Sequence, residues 1–366
     1  MGFAKSFLVM AIVVLLAPAV RAQGKVESIK FKTVDGVTIK GNYYPGENTN
    51  APTVMLLHNL NENRKKKNWL NLAVELQKKG YAVLTFDFRG HGESTAVEPE
   101  VFWSKPYLFF NQYVKKGQEI DNKFDKRYLP ALVNDIAAAK SYLDKRNDAK
   151  ELNSSRLILI GAETGATLGA LWLKSEWQRY PAQLHPSLGK PIQDRFGRYY
   201  ADLKKPAEGS AVINCVWLSI SPTLGSRQVD LVSLLYKAAK ERKVPMAFMH
   251  SKEDKSGKTL ATNLENKLVA FVKKNGKQVR DDQYSFTGAV EVDSGKLKGQ
   301  ELLQAKNIQG LCDYLDNATK DRGEDWTERD FRKTAYVWYF GPTQTLNAKR
   351  PDEMNLLFSS YENFLR

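Results

Sequence analysis

Two glycines four residues apart, Gly161 and Gly165, separate a run with the character of a strand from a run with the character of a helix. Leu157-Ile158-Leu159-Ile160 is apolar and partly β-branched, as a buried strand is. Ala166-Thr167-Leu168-Gly169-Ala170-Leu171-Trp172-Leu173 has the pattern of a buried helix. A chain that passes from one to the other this quickly must turn sharply, and glycines flanking the turn remove the Cβ atoms that would obstruct it. The residue between them, Glu163, is then held clear of the backbone at the N-terminus of a helix. There a carboxylate is a stabilised anion.

The rest of the chain repeats the alternation of strand and helix. A hairpin over Val26 to Asp35 and Val37 to Tyr44, joined at Asp35-Gly36, opens the pattern. Strands follow at Thr53 to His58, Tyr81 to Phe88, Arg156 to Ile160, Ala211 to Ile220, Pro245 to His250 and Gln283 to Ala289. Helical periodicity falls at Trp69 to Lys79, Leu129 to Lys145, Val229 to Arg242, Leu260 to Asn275 and Gly299 to Asp316. Such a series predicts an α/β fold with a mostly parallel, doubly wound sheet and right-handed crossovers. Residues 95–128, with the aromatic stretch Val101 to Tyr113, and residues 181–209 read as insertions, and no internal repeat is evident.

Residues about 26 to 318 resemble an α/β-hydrolase of the esterase or dienelactone-hydrolase-like kind. Thr85-Phe86-Asp87-Phe88-Arg89-Gly90-His91-Gly92-Glu93-Ser94 is similar to the family's D-x-R-G-H-G-x-S turn. Gly161 to Gly165 is similar to its G-x-S-x-G nucleophile elbow, and Met249 to Asp254 to the segment that carries its acid. The resemblance implies triad-equivalent positions at Glu163 (nucleophile), Asp254 (acid) and Lys298 (general base, in Lys298-Gly299-Gln300-Glu301-Leu302-Leu303). It also places the oxyanion positions at Asn59, Leu60 and Thr164, with His58-Asn59 where the family often has His-Gly.

Two of the three triad positions therefore hold the wrong chemistry. A serine hydroxyl activated by a base attacks a carbonyl, whereas a carboxylate is a poor acyl acceptor, and a charged lysine cannot take a proton. The histidines agree without any alignment. His58, His91, His185 and His250 all precede Asp254, so the order nucleophile, acid, histidine cannot occur. The expectation is a degenerate hydrolase with Lys298 bridging Glu163 and Asp254, whose old pocket serves a small-molecule or anionic ligand. The alternative is a non-serine hydrolase, using Glu163 as a nucleophile or a metal held by His58, Glu163 and His250. No cofactor is expected.

The first 22 residues have Lys5, an apolar run from Phe7 to Val20 and small residues at Val20 and Ala22, which predicts a cleaved export signal. The organisation expected is thus 1–22 signal, 23–318 hydrolase-like domain and 319–366 extension, in a periplasmic or secreted protein without a transmembrane segment. Loss of Lys5 and Arg21 lowers the formal charge from +14 to +12. The basic runs are short, Arg64 to Lys67 and Lys273-Lys274, so they read as solvated surface rather than a nucleic-acid site. Cys215 lies in a strand pattern and reads as a buried thiol although export permits a disulfide.

Overall fold

The computed structural model describes residues 24–103, 117–329 apart from 124, 196 and 275, 336–341 and 344–348. The expected export signal and residues 104–116 of the first insertion lie outside these residues. Eight strands form the central sheet: β1 (Glu27–Lys32), β2 (Thr38–Tyr44), β3 (Thr53–Leu57), β4 (Ala82–Phe86), β5 (Leu157–Ala162), β6 (Val212–Leu218), β7 (Met246–Ser251) and β8 (Gly288–Val292). Their spatial order is 1-2-4-3-5-6-7-8. β2 is antiparallel to both its neighbours, and the pairs from β4 to β8 are parallel. The sheet is thus the mostly parallel α/β sheet the alternation predicts.

Strands β3, β5, β6 and β7 are buried along their whole length, because helices cover both faces. Side chains alternate between two cores, as the two-residue period of a strand demands. Leu157 and Leu159 enter one, with Met55, Leu57, Trp217 and Phe248. Ile158 and Ile160 enter the other, with Val54, Leu56, Val216 and Met249. Helices α2 (Val133–Asp148), α3 (Glu163–Glu176), α4 (Leu231–Tyr236) and α5 (Lys255–Leu268) pack on the first. Helices α1 (Lys67–Lys78) and α6 (Ala305–Thr319) pack on the second.

α1 shows how the sequence sets one of these contacts. Trp69, Leu72, Ala73 and Leu76 share one face and are buried. The helix stops where Gly80 takes φ +91° and its N–H closes on the Gln77 carbonyl at 2.9 Å. Leu72→Ala would cost about 2–5 kcal/mol.

The elements differ from the sequence expectation in several places; the strand expected over Gln283 to Ala289 begins as a 3₁₀ turn, Asp282–Tyr284, and β8 starts only at Gly288. The periodicity read as helix Leu260 to Asn275 is two elements: α5 ends at Leu268, and Phe271–Lys274 pairs with Lys277–Arg280 as a hairpin. Gly276, at φ +76°, supplies the turn. The pattern over Gly299 to Asp316 begins with a separate 3₁₀ turn, Gly299–Leu302, before α6. That over Val229 to Arg242 is α4 followed by a π-helical turn, Lys237–Glu241.

Beyond residue 318, Tyr336–Gly341 joins the molecule by pairing antiparallel with Arg179–Pro181 and with Gln344–Ala348. Cys215 and Cys312 are buried free thiols, and burial raises both pKa values, that of Cys312 to about 11. Among the described residues no helix is long and apolar enough to cross a membrane.

Candidate functional site at the elbow

Glu163 begins α3 with φ +47°, a left-handed conformation that residues with a Cβ rarely adopt. Such a conformation costs on the order of 1–3 kcal/mol and persists only where the surroundings enforce it. The two glycines are part of that enforcement. A Cβ on Gly161 would lie 2.7 Å from Ala166 Cα; one on Gly165 would lie 2.8 Å from the Leu57 carbonyl oxygen and closer still to that of His58. Strand β3 and helix α3 therefore meet backbone to backbone, and the turn between β5 and α3 has no room to relax. The Glu163 carbonyl accepts from the Ser221 N–H and the Thr167 hydroxyl, each at 3.3 Å.

This observation, with the 1-2-4-3-5-6-7-8 order and a reversed second strand, decides the architecture. It is the α/β-hydrolase fold. The strained residue at the tip of the elbow is the feature of that fold that presents the nucleophile above the sheet. Solved structures similar to the chain include an esterase from Pyrococcus furiosus, 14% identical, TM-score 0.48, over 80% of this chain and 91% of that one. A dienelactone hydrolase from Anabaena variabilis is 13% identical, TM-score 0.49, over 83% of this chain and 100% of that one. An α/β serine hydrolase homologue from Coxiella burnetii is 12% identical, TM-score 0.44, over 80% and 97%. No protein-family model and no curated protein matches the sequence.

Asp254, expected from the sequence to match the family's acid, caps α5. Its carboxylate accepts from the Gly257 N–H at 3.1 Å, the Ser256 hydroxyl at 2.8 Å and the Lys298 ammonium at 3.2 Å. Burial opposes the charge, but these three donors outweigh it and hold the pKa below the ordinary carboxylate value. Lys298 precedes the 3₁₀ turn Gly299–Leu302, and its side chain is 49% exposed.

Glu163 differs from the sequence expectation. Its carboxylate has no ion pair within 4.0 Å among the described residues, so Lys298 bridges to Asp254 and not to Glu163. The carboxylate lies instead against Gly299, where a Cβ would fall 2.5 Å from Oε1. Its pKa is raised: burial dominates, the Lys298 charge only partly offsets it, and Glu301 adds repulsion. The helix N-terminus thus does not make Glu163 the stabilised anion that its position suggests, because desolvation acts the other way.

Glu163, Asp254 and Lys298 line one cavity of about 260 Å³. It opens above the carboxyl ends of β5, β6 and β7, the usual ligand position of an open α/β sheet. Ser219 follows β6 with φ +51° and also lines it, with Trp217. The sequence pattern did not reveal Ser219, because Ala211 to Ile220 reads as continuous strand and only tertiary contacts bend the chain there.

The oxyanion-equivalent positions fall around the elbow. Thr164 is in the first turn of α3, and Asn59 and Leu60 follow β3. The Leu60 N–H, at a position expected from the sequence to face an oxyanion, donates instead to Asn59 Oδ1 at 2.8 Å.

The histidines are held by backbone. His58 Nδ1 donates to the Asn59 carbonyl at 2.7 Å and Nε2 accepts from the Phe88 N–H at 3.0 Å. Burial lowers its pKa to about 4. With both ring nitrogens engaged, His58 has no lone pair for a metal. His91 has Nδ1 2.9 Å from the Arg89 carbonyl oxygen and Nε2 2.6 Å from that of Leu60. His250 Nδ1 lies 3.1 Å from the Ser251 carbonyl oxygen, and His185 is in the second insertion.

The Asp87-to-Ser94 turn acts as a brace. Asp87 accepts from the Arg64 N–H at 2.8 Å and the Glu93 N–H at 3.0 Å, and pairs with the Arg64 guanidinium. Arg89, fully buried, is held by Asp35 at 2.6 Å, Asp135 at 2.7 Å and the Tyr128 hydroxyl at 2.6 Å.

Proposed function

We propose that this chain keeps the hydrolase fold without serine-hydrolase chemistry and uses the cavity beside Glu163 to bind a small ligand. The observation that carries the reading is a glutamate at the strained elbow tip in a cavity where the acid, Asp254, already has a lysine as its cationic partner. A hydrolase needs a nucleophile and a base that takes its proton. At the base position is an ammonium held against a carboxylate, and a carboxyl at the elbow tip is a poor acyl acceptor. The Leu60 N–H engaged by Asn59 adds a third departure.

The reading is tested with a panel of short-chain aryl esters. Residues 23–366 are expected to give no turnover above a Glu163→Ala control. Turnover that vanishes in that control would overturn the reading in favour of a glutamate-dependent hydrolase. Glu163→Ser alone is expected to remain inactive, since Lys298 offers no base.

We also propose export with cleavage after Ala22. Support comes from Lys5, the apolar run to Val20 and the small residues at 20 and 22. Intact mass of protein from the native host is expected to correspond to a chain starting at Gln23. An uncleaved, membrane-embedded chain would contradict this.

A further inference from the structure

We propose that the cavity beside Glu163 is a site for a small carboxylate with an apolar body, of the size of hexanoate or benzoate. The inference rests on the ligand-binding reading above and assigns its chemical class. At about 260 Å³ the cavity falls just below the ~300–1,000 Å³ of sites for drug-sized ligands. Much of its wall is apolar, supplied by Ile220, Pro222, Phe248, Met249 and Leu260.

The polar groups around those walls are predominantly unspent donors. Trp217 and Ser219 both line the cavity, and both Trp217 Nε1 and Ser219 Oγ are buried without a hydrogen-bond partner among the described residues. A buried donor left unpaired costs about 1–3 kcal/mol, and an acceptor that reaches it recovers that cost. The Lys298 ammonium has three N–H donors and commits one to Asp254. Two fourteen-residue helices, α3 and α5, also bring their N-termini to the cavity, where Glu163 and Ser256-Gly257 line it. Each terminus contributes positive potential.

The two carboxyl groups of the site do not reverse this balance. Asp254 has its charge met by Gly257, Ser256 and Lys298. Glu163, in its neutral form, is itself a donor to a carboxylate, and burial favours that form. An ammonium ligand would face Lys298 and both helix termini. An alcohol offers one acceptor oxygen where a carboxylate offers two.

The test is titration of residues 23–366 with hexanoate, benzoate, hexylamine and hexanol, read by calorimetry and by tryptophan fluorescence. Saturable binding of the two carboxylates is expected, with a change in fluorescence from Trp217. Lys298→Gln should weaken it about tenfold or more, as loss of a charge-assisted hydrogen bond does. Ser219→Ala should weaken it several-fold. Glu163→Gln, which cannot ionise and repel the ligand, should lose less affinity than the parent as pH rises.

Circular dichroism of each variant separates lost binding from lost folding. If Lys298→Gln fails to fold, the pH dependence of the Glu163→Gln variant carries the test. Saturable binding of hexylamine or hexanol but not the carboxylates would overturn the assigned class and leave the binding reading standing. Binding of none of the four would overturn both.

Discussion

At the scale of single residues, Glu163 combines two unfavourable features, a left-handed backbone and a partly desolvated carboxyl. The second sets a pH dependence. A carboxyl whose folded pKa is raised favours the folded state most when protonated, and that contribution is lost as pH rises through the folded value. Glu163→Gln should therefore raise the melting temperature relative to the parent, by an increment that grows from pH 4 to pH 8. An increment that shrinks over that range would contradict the account. Lys298 is half-exposed and makes one ion pair, so Lys298→Ala should cost only about 0–1 kcal/mol in a urea melt. The meeting of Glu163, Asp254 and Lys298 at one cavity was legible in the sequence because short motifs mark their places in the chain. The separation of Lys298 from Glu163, and the sign of the Glu163 shift, were not. Both depend on how the turn before Gly299 packs against the elbow.

Between elements, buried ionic clusters join parts of the chain that are far apart in sequence. Arg89 ties the β4 turn to Asp35 of the hairpin connection and Asp135 of α2. Arg89→Met would leave two buried carboxylates without their cation and should cost about 3–5 kcal/mol in a denaturant melt. A loss under 1 kcal/mol would show that the cluster contributes nothing to the fold.

A second cluster seats the C-terminal extension. Arg179 pairs with Glu176 and lies 5.3 Å from the Tyr336 ring centroid and 5.5 Å from that of Trp338, while Arg329 reaches Asp144 at 2.9 Å and Asp148 at 2.7 Å. Burial, opposed by Arg179 and reinforced by Glu208, lifts the Glu176 pKa from 4.5 to about 7. Its contribution is full below pH 4.5 and lost as pH rises through 7, so the parent should lose more stability between pH 5 and pH 8 than Glu176→Gln does. Parallel pH dependences would contradict this. From the sequence alone Thr334 to Phe340 reads as a strand without a role. Its partner, Arg179–Pro181, was hidden in an insertion, since a three-residue strand has too little period to detect. The hairpin at Phe271 to Arg280 was missed for a related reason: its residues continue the helical pattern until Gly276 breaks it.

For the whole molecule, the alternation of strand and helix carried the sheet correctly, because continuous apolar strands and amphipathic helices fit only a sheet covered on both faces. The same fold supports many chemistries, so function must be argued from the site. Here the scaffold has a strained elbow tipped by Glu163 and a helix cap at Asp254 that pairs with Lys298, the three positions that the proposed reading assigns to a lost triad. The most direct measurement is intact-mass analysis of the folded chain after saturation with a fluorophosphonate, which modifies an activated serine and leaves a carboxyl unlabelled. No mass shift is predicted, for the parent and for Glu163→Ala alike. Stoichiometric addition of one phosphonyl group, mapped to a serine, would contradict the claim that the serine-hydrolase machinery is gone.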